Sequence, residues 1–265
     1  MNKAGIVYFV GAGPGDPKLI TVRGLECIRE ADVLIYDRLA NPELLRHAKE
    51  DSEKIYCGKL PDHHTLRQEE LNELILAYAR AGKVVVRLKG GDPGVFGRVG
   101  EEAEHCRRHG IPYEIVPGIT AGLAAPLYAG IPVTHRELGQ SFACVTGHTA
   151  RGELSAKRWQ ALATGIDTVI FYMGVKNLPD IVDRLIEYGR SPDSPAAIIE
   201  WGTLADQRVL AAPLNQLVTE ARQADVRNPS IIIVGEVASL YPTLSWFTAD
   251  DFVKKELQST KNEVK

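Results

Sequence analysis

Gly11-Ala12-Gly13-Pro14-Gly15-Asp16 is the stretch on which the reading of this chain turns. It follows an apolar run over residues 6–10 that reads as a buried strand, and it leads into helix-like sequence over residues 21–29. The outline is that of a dinucleotide loop. Such a loop needs a third glycine three residues after the second, so that the following helix can start close to a pyrophosphate. Counted from Gly13 that position is Asp16, and Pro14 stiffens the turn. A carboxylate where a pyrophosphate would sit argues against NAD. A ligand that tolerates or prefers negative charge is the better expectation, and S-adenosylmethionine, with its cationic sulfonium, is of that kind.

Outward from this loop, strand-like runs over residues 5–10, 32–36, 54–57, 83–88 and 113–116 alternate with helix-like stretches over 21–29, 43–48, 67–81 and 99–108. Leu71, Leu74, Ile75 and Tyr78 recur at helical spacing and give that helix one buried face. The alternation predicts a mainly parallel sheet covered by helices. Ligands of such sheets bind at the carboxyl ends of the strands. The segments GAGPGD, YDRL, CGK and GGDP all come directly after strands, which lets them converge on one cleft.

A second series begins near Ser141, with strand-like runs over 141–145, 168–172, 196–201, 208–212 and 230–234. Its helix-like stretches cover 158–163, 178–188 and 214–224. The short turn between 196–201 and 208–212 predicts an antiparallel pair, hence a mixed sheet. Apolar density drops over residues 135–140. The expected organisation is α/β: an N-terminal domain over 1–136, a C-terminal domain over 137–247, an active site in the cleft between them, and a polar tail over 248–265.

Composition bounds the function. With 265 residues, 45% hydrophobic and 25% charged, the chain has an ordinary globular make-up and room for two domains. No apolar stretch approaches a membrane span and no signal-peptide pattern is present, so the expected setting is the cytoplasm, without a membrane partner. A net charge of −3 excludes a broadly basic nucleic-acid surface while permitting a local basic pocket. Cys27, Cys57, Cys106 and Cys144 form no CxxC pair, and the adjacent His63 and His64 have no ligand-spaced partner, so no metal is expected. His135 and His148 point to no particular role.

The motifs, taken together, resemble the tetrapyrrole methylase family. They are VGAGPGDPKLIT, YDRL at residues 36–39, YCGK at 56–59, RLKGGDP at 87–93, FGRVGEE at 96–102 and VPGIT at 116–120. The second half continues with VTGH at 145–148, FYMG at 171–174, DQR at 206–208 and IIIVGEV at 231–237. YAGIPVTHR at 128–136 narrows the resemblance to members that methylate uroporphyrinogen III. The similarity spans residues 6 to about 247. Gly94 stands for a larger residue of the usual pattern, Val99 for a glycine, and Trp201 for the asparagine of ENGT. Relatives with several functions carry a further N-terminal dehydrogenase and chelatase module, and this chain looks like the stand-alone methyltransferase.

The resemblance implies the tetrapyrrole methylase fold and methyl transfer from S-adenosylmethionine to C2 and C7 of uroporphyrinogen III. The product is then precorrin-2, formed through precorrin-1 with two S-adenosylhomocysteines. It also implies a homodimer. By position, the cofactor contacts fall on Pro14, Gly90, Gly91, Asp92, Val95, Thr120, Ala121, Met173 and Gly202. Asp37 corresponds to a proton acceptor, Lys59 to a donor, and Arg98 to a residue proposed to take part in proton abstraction.

Elementary chemistry sets these roles beside plainer ones. A lone GGDP is more often a turn with a capping aspartate. Met173 equally suits a core gap. Asp37 and Arg38 suit a surface pair or a cap. An arginine holds its proton too strongly to be a comfortable base. Arg38, Arg98 and Arg136 are therefore read as forks for the carboxylates of the substrate, with Glu101 either orienting Arg98 or lying idle on the surface. Three rival readings are a methylase of a later corrinoid, a relative acting on RNA ribose or a protein residue, and a non-catalytic S-adenosylmethionine sensor. The last is opposed by the presence of Asp37, Lys59, Arg98 and Arg136 together.

Overall fold

A computed structural model describes residues 5–58, 67–147 and 154–248. Its contacts divide the chain after Ala121 into two compact units. The first holds strands β1 (Ile6–Gly11), β2 (Val33–Tyr36), β3 (Glu53–Tyr56), β4 (Val84–Lys89) and β5 (Tyr113–Val116), with helices α1 (Val22–Glu30), α2 (Gln68–Arg80) and α3 (Val99–Arg108). The stretch expected as a helix over 43–48 is a 3₁₀ turn, Pro42–His47.

The sheet order is β3-β2-β4-β1-β5 and every pairing is parallel. Strand side chains alternate between faces. Val7, Phe9, Val33, Ile35 and Val85 therefore pack on one side with Leu71, Ile75, Ala103 and Cys106 of α2 and α3. Tyr8, Val10, Leu34, Val86 and Leu88 pack on the other with Cys27 and Ile28 of α1 and with Leu44. The chain leaves β1 through α1 on one face and leaves β4 through α3 on the other. The two neighbouring strands thus form the point where the winding reverses, and crevices of such sheets open there.

The second unit contains α4 (Ala121–Tyr128, from its second residue onward), β6 (Phe142–Thr146), α5 (Ala156–Thr164), β7 (Thr168–Tyr172) and α6 (Leu178–Glu187). It continues with β8 (Pro195–Glu200), β9 (Arg208–Pro213), α7 (Leu214–Gln223), β10 (Ser230–Val234) and the short α8 (Tyr241–Leu244). Its sheet order is β6-β7-β10-β8-β9, parallel between β6 and β7 and antiparallel elsewhere, the mixed sheet that the turn after β8 predicts. Trp159, Ile181, Leu185, Leu214 and Leu217 of α5, α6 and α7 cover one face.

Helix α4 lies in a stretch where the sequence offers motif letters and no helical pattern. Its sequence, AGLAAPLY, is apolar all round and carries Pro126 inside, so it has neither the amphipathic period nor the uninterrupted interior that marks a helix. The drop in apolar density sets an expected boundary at 136/137, whereas the contacts divide the chain earlier. The reason is local. Gly122 donates to Tyr172 Oη, and the backbone of Gly130 lies against Leu244, which ties residues 122–130 to the second unit.

Candidate active site

The loops after β1, β2, β4 and β5 extend from the carboxyl ends of the first sheet. Across the reversal point the loops after β1 and β4 are sewn together: Gly91 N–H donates to Gly13 O at 2.7 Å and Gly13 N–H to Gly91 O at 3.2 Å. Gly13 and Gly91 take φ of +78° and +70°, a region costly for side chains with a Cβ. The loop after β5 joins the seam, because a Cβ on Gly11 would lie 2.6 Å from Gly118 Cα. Gly90 is equally confined, since a Cβ there would collide with Leu39 of the loop after β2. The result is a tightly packed backbone surface in which Gly11 and Gly13 are buried and Gly90, Gly91 and Gly118 are half-buried.

Asp92 clamps this surface. One carboxylate oxygen accepts Gly94 N–H at 2.7 Å and the other accepts Gly118 N–H at 2.9 Å. Among the described residues no cationic side chain pairs with it. The turn-capping role is therefore real, and it holds the carboxylate beside the seam. Asp16, the residue that breaks the dinucleotide pattern, caps the 3₁₀ turn Pro17–Leu19 by accepting Lys18 N–H at 2.9 Å. Half-buried Pro14 and Val95 border the same loops, and Thr120 and Ala121 lie beside Gly91.

Asp37, at the end of β2, accepts Leu39 N–H at 3.0 Å and the Arg87 guanidinium at 3.2 Å. Arg87 and Lys89 alternate with Val86 and Leu88 along β4 and so share the face of Val85 toward α3. There Glu102, only 1% exposed, meets Lys89 Nζ at 2.7 Å and Arg87 Nε at 3.5 Å, and takes Gln68 Nε2 at 3.2 Å. Burial, and then Arg87, holds the Lys89 ammonium below its ordinary value despite Glu102. Arg87 is held above its own by its anionic neighbours, although burial opposes them. Arg87, Lys89 and Glu102 stand in the sequence as mere letters of RLKGGDP and FGRVGEE, and none is singled out there. The available signal was two cations spaced i, i+2 inside an apolar strand, which demand a buried anion.

Arg98 and Glu101 form a forked pair at 2.9 and 2.6 Å, with side chains 56% and 55% exposed. The hydrogen bond raises the Arg98 value and lowers that of Glu101. Glu101 thus holds Arg98 in an exposed forked pair. Arg98 and Phe96 both hold left-handed φ, +58° and +56°, so the loop leading into α3 carries local strain. Arg38 is exposed and, among the described residues, unpaired. Lys59, His63, His64 and His148 lie outside the described residues, as does the tail beyond residue 248.

In the second unit Met173 and Trp201 directly follow β7 and β8, each at left-handed φ, +54° and +48°, and each substantially exposed. Met173 is thus not a core residue. Gly122 N–H donates to Tyr172 Oη at 2.6 Å, and a Cβ on Gly202 would collide with Ala125 of α4, so α4 lies close to both strand ends. Trp201 occupies a backbone region that asparagine adopts more readily. Val99, by contrast, fills the core between α3 and the sheet. Arg136 is exposed in the turn closed by the His135–Gly139 bridge. Among the described residues no group of three or more His, Cys, Asp or Glu is placed to hold a metal ion, and no helix is long and apolar enough to cross a membrane.

Residues 6–218 match the family described as Tetrapyrrole (Corrin/Porphyrin) Methylases. The chain belongs to that family. This methylase is 52% identical over 246 residues to a uroporphyrinogen-III C-methyltransferase of Bacillus subtilis, covering 93% of this chain and 96% of that protein. It is 55% identical over 235 residues to a protein of the same name from Priestia megaterium, covering 89% and 99%. Among solved structures it is similar to the uroporphyrin-III C-methyl transferase from Thermus thermophilus complexed with S-adenyl homocysteine. That likeness has 41% identity and a TM-score of 0.76, covering 89% of this chain and 100% of the other.

Proposed function

We propose that this methylase transfers methyl groups from S-adenosylmethionine to C2 and C7 of uroporphyrinogen III, giving precorrin-2 by way of precorrin-1 and releasing two S-adenosylhomocysteines. The observation that carries the reading is the Asp92 carboxylate, without a cationic side-chain partner among the described residues, beside the glycine seam at the reversal point of the first sheet. Bare backbone admits a ligand closely, and an uncompensated carboxylate suits a cationic one. Two relatives named uroporphyrinogen-III C-methyltransferase match nearly end to end and support C-methylation of that substrate.

Pro14, Gly90, Gly91, Asp92, Val95, Thr120 and Ala121 are the proposed cofactor residues of the first unit, with Met173 and Gly202 those of the second. When bound, S-adenosylmethionine supplies a methyl group already activated as a sulfonium, so the protein needs no nucleophile of its own. Its task is alignment and removal of a ring proton. Asp37 is the proposed acceptor and Lys59 the donor. Arg38, Arg98 and Arg136 hold the substrate carboxylates. For Arg98 this means exchanging Glu101 for a substrate carboxylate, a cheap exchange because an exposed pair is worth about 0–1 kcal/mol. The family resemblance further supports a homodimer acting in the cytoplasm, with no metal.

Anaerobic incubation with both substrates, read by absorbance and mass, tests the assignment. Gain of two methyl groups is expected. Binding of S-adenosylmethionine without methylation of uroporphyrinogen III would refute the substrate while leaving the cofactor assignment standing.

A further inference from the structure

Asp37 does not stand alone at the end of β2. Its Oδ2 meets a guanidinium that is itself 5% exposed and hydrogen-bonded through both terminal nitrogens. Arg87 donates from one terminal nitrogen to Leu88 O at 2.9 Å and Ile35 O at 3.5 Å, and from the other to Asp37 Oδ2 at 3.2 Å. Its Nε faces Glu102 Oε1 at 3.5 Å, an ion pair without a hydrogen bond. The second oxygen of Glu102 is taken by Lys89, which keeps that carboxylate from turning away. Two carboxylate side chains, Asp37 and Glu102, thus face two cationic ones, Arg87 and Lys89.

This is an elaborate arrangement for a role in stability alone. Buried ion pairs are commonly no better than apolar packing of the same volume, because desolvation offsets their attraction. Apolar side chains line the face that Arg87 and Lys89 share, Val85 on the same strand and Val99 and Ala103 on α3. Each buried charge in the chain leads to the next, and the chain ends at the single member that reaches the mouth of the strand: the Asp37 side chain is 28% exposed, against 6% for Arg87 and Lys89 and 1% for Glu102.

We propose that Arg87, braced by Glu102, is a positioning residue that holds the Asp37 carboxylate in the orientation needed to accept the proton lost from the macrocycle. Neither Arg87 nor Glu102 touches substrate. Their effect passes through Asp37. The inference rests on the reading of Asp37 as the proton acceptor of the proposed reaction. A lysine at position 87 would keep the charge while losing the planar fork that contacts Asp37, Ile35 and Leu88 together.

The test is a double-mutant cycle in the anaerobic assay, with Arg87→Lys, Asp37→Asn and the two combined, each checked for folding by circular dichroism. Arg87→Lys is expected to lower kcat by at least about tenfold, the scale of a lost alignment, with KM for S-adenosylmethionine within about twofold of the parent. In the Asp37→Asn background the same change should have no further effect beyond about twofold. If Arg87→Lys fails to fold, Glu102→Gln is read in the same cycle, with the same expectation. Losses that multiply in the combined variant, or a rise in KM for S-adenosylmethionine with kcat retained, would overturn the positioning role while sparing the proposed reaction. A parent protein that folds, binds S-adenosylmethionine and leaves uroporphyrinogen III unmethylated would overturn both.

Discussion

Gly13 and Gly91 exchange both of their backbone hydrogen bonds across the point where the first sheet reverses its winding. That seam makes the glycines of the site unequal. A Cβ on Gly91 would meet nothing nearer than Ala121 N at 3.7 Å, so Gly91→Ala carries only the cost of left-handed backbone, about 1–2 kcal/mol. A Cβ on Gly11 would drive into Gly118 Cα at 2.6 Å, which forces a backbone shift of the kind that costs about 1–3 kcal/mol or more. Thermal melting of the two variants in one buffer should show the larger drop for Gly11→Ala. The reverse order would mean that the loops after β1 and β5 part easily.

Asp92 ties the loop after β4 to that after β5, and asparagine can offer only one acceptor oxygen in place of two. Hydrogen bonds to a charged group contribute about 1.5–3 kcal/mol, so Asp92→Asn should cost about 1–3 kcal/mol in chemical denaturation. The proposed cofactor role adds a second expectation. S-adenosylhomocysteine, which lacks the sulfonium, should lose less affinity for the variant than S-adenosylmethionine does. Equal losses measured by calorimetry would reduce Asp92 to its clamping role.

Much of this was legible before any coordinates. The strands at Tyr113–Val116, Thr168–Tyr172 and Ser230–Val234 fall where short apolar runs placed them, because a buried strand can only be written as such a run. The convergence of GAGPGD and GGDP also comes from their places at strand ends. Their pairing through Gly13 and Gly91 does not, since it depends on β4 lying next to β1, a fact of strand order. Helix α4 escaped because AGLAAPLY is apolar on every side. The Glu102 cluster escaped because its members come from β4 and α3, and only the strand's alternation and the helix's docking bring them together.

Arg98 and Glu101 face solvent, so their pair contributes little to folding. Arg98→Lys should leave stability within about 0.5 kcal/mol. Loss of the fork should nevertheless raise KM for uroporphyrinogen III by roughly tenfold, because a point charge cannot grip a carboxylate with two parallel bonds. Steady-state kinetics beside a melting curve separates the two. A large fall in stability with unchanged KM would assign the pair to the loop rather than to the substrate.

The buried thiols give a pH dependence of definite sign. Burial pushes Cys27 and Cys106 up to about 11, and raises Cys57 as well. A raised value means that the fold favours the neutral thiol. The stability this confers is complete below the unfolded value, about 8.5, and is lost as pH climbs through the folded one. The melting temperature of the parent should therefore fall more steeply between about pH 9 and about pH 11 than that of a Cys27→Ala, Cys106→Ala double variant. At pH 8 a thiol reagent should modify Cys27 and Cys106 slowly in the folded protein and rapidly after denaturation, since the thiolate is the reacting species. Rapid labelling of both in the native state would mean that the packing of α1 and α3 against the sheet opens far more often than their complete burial indicates.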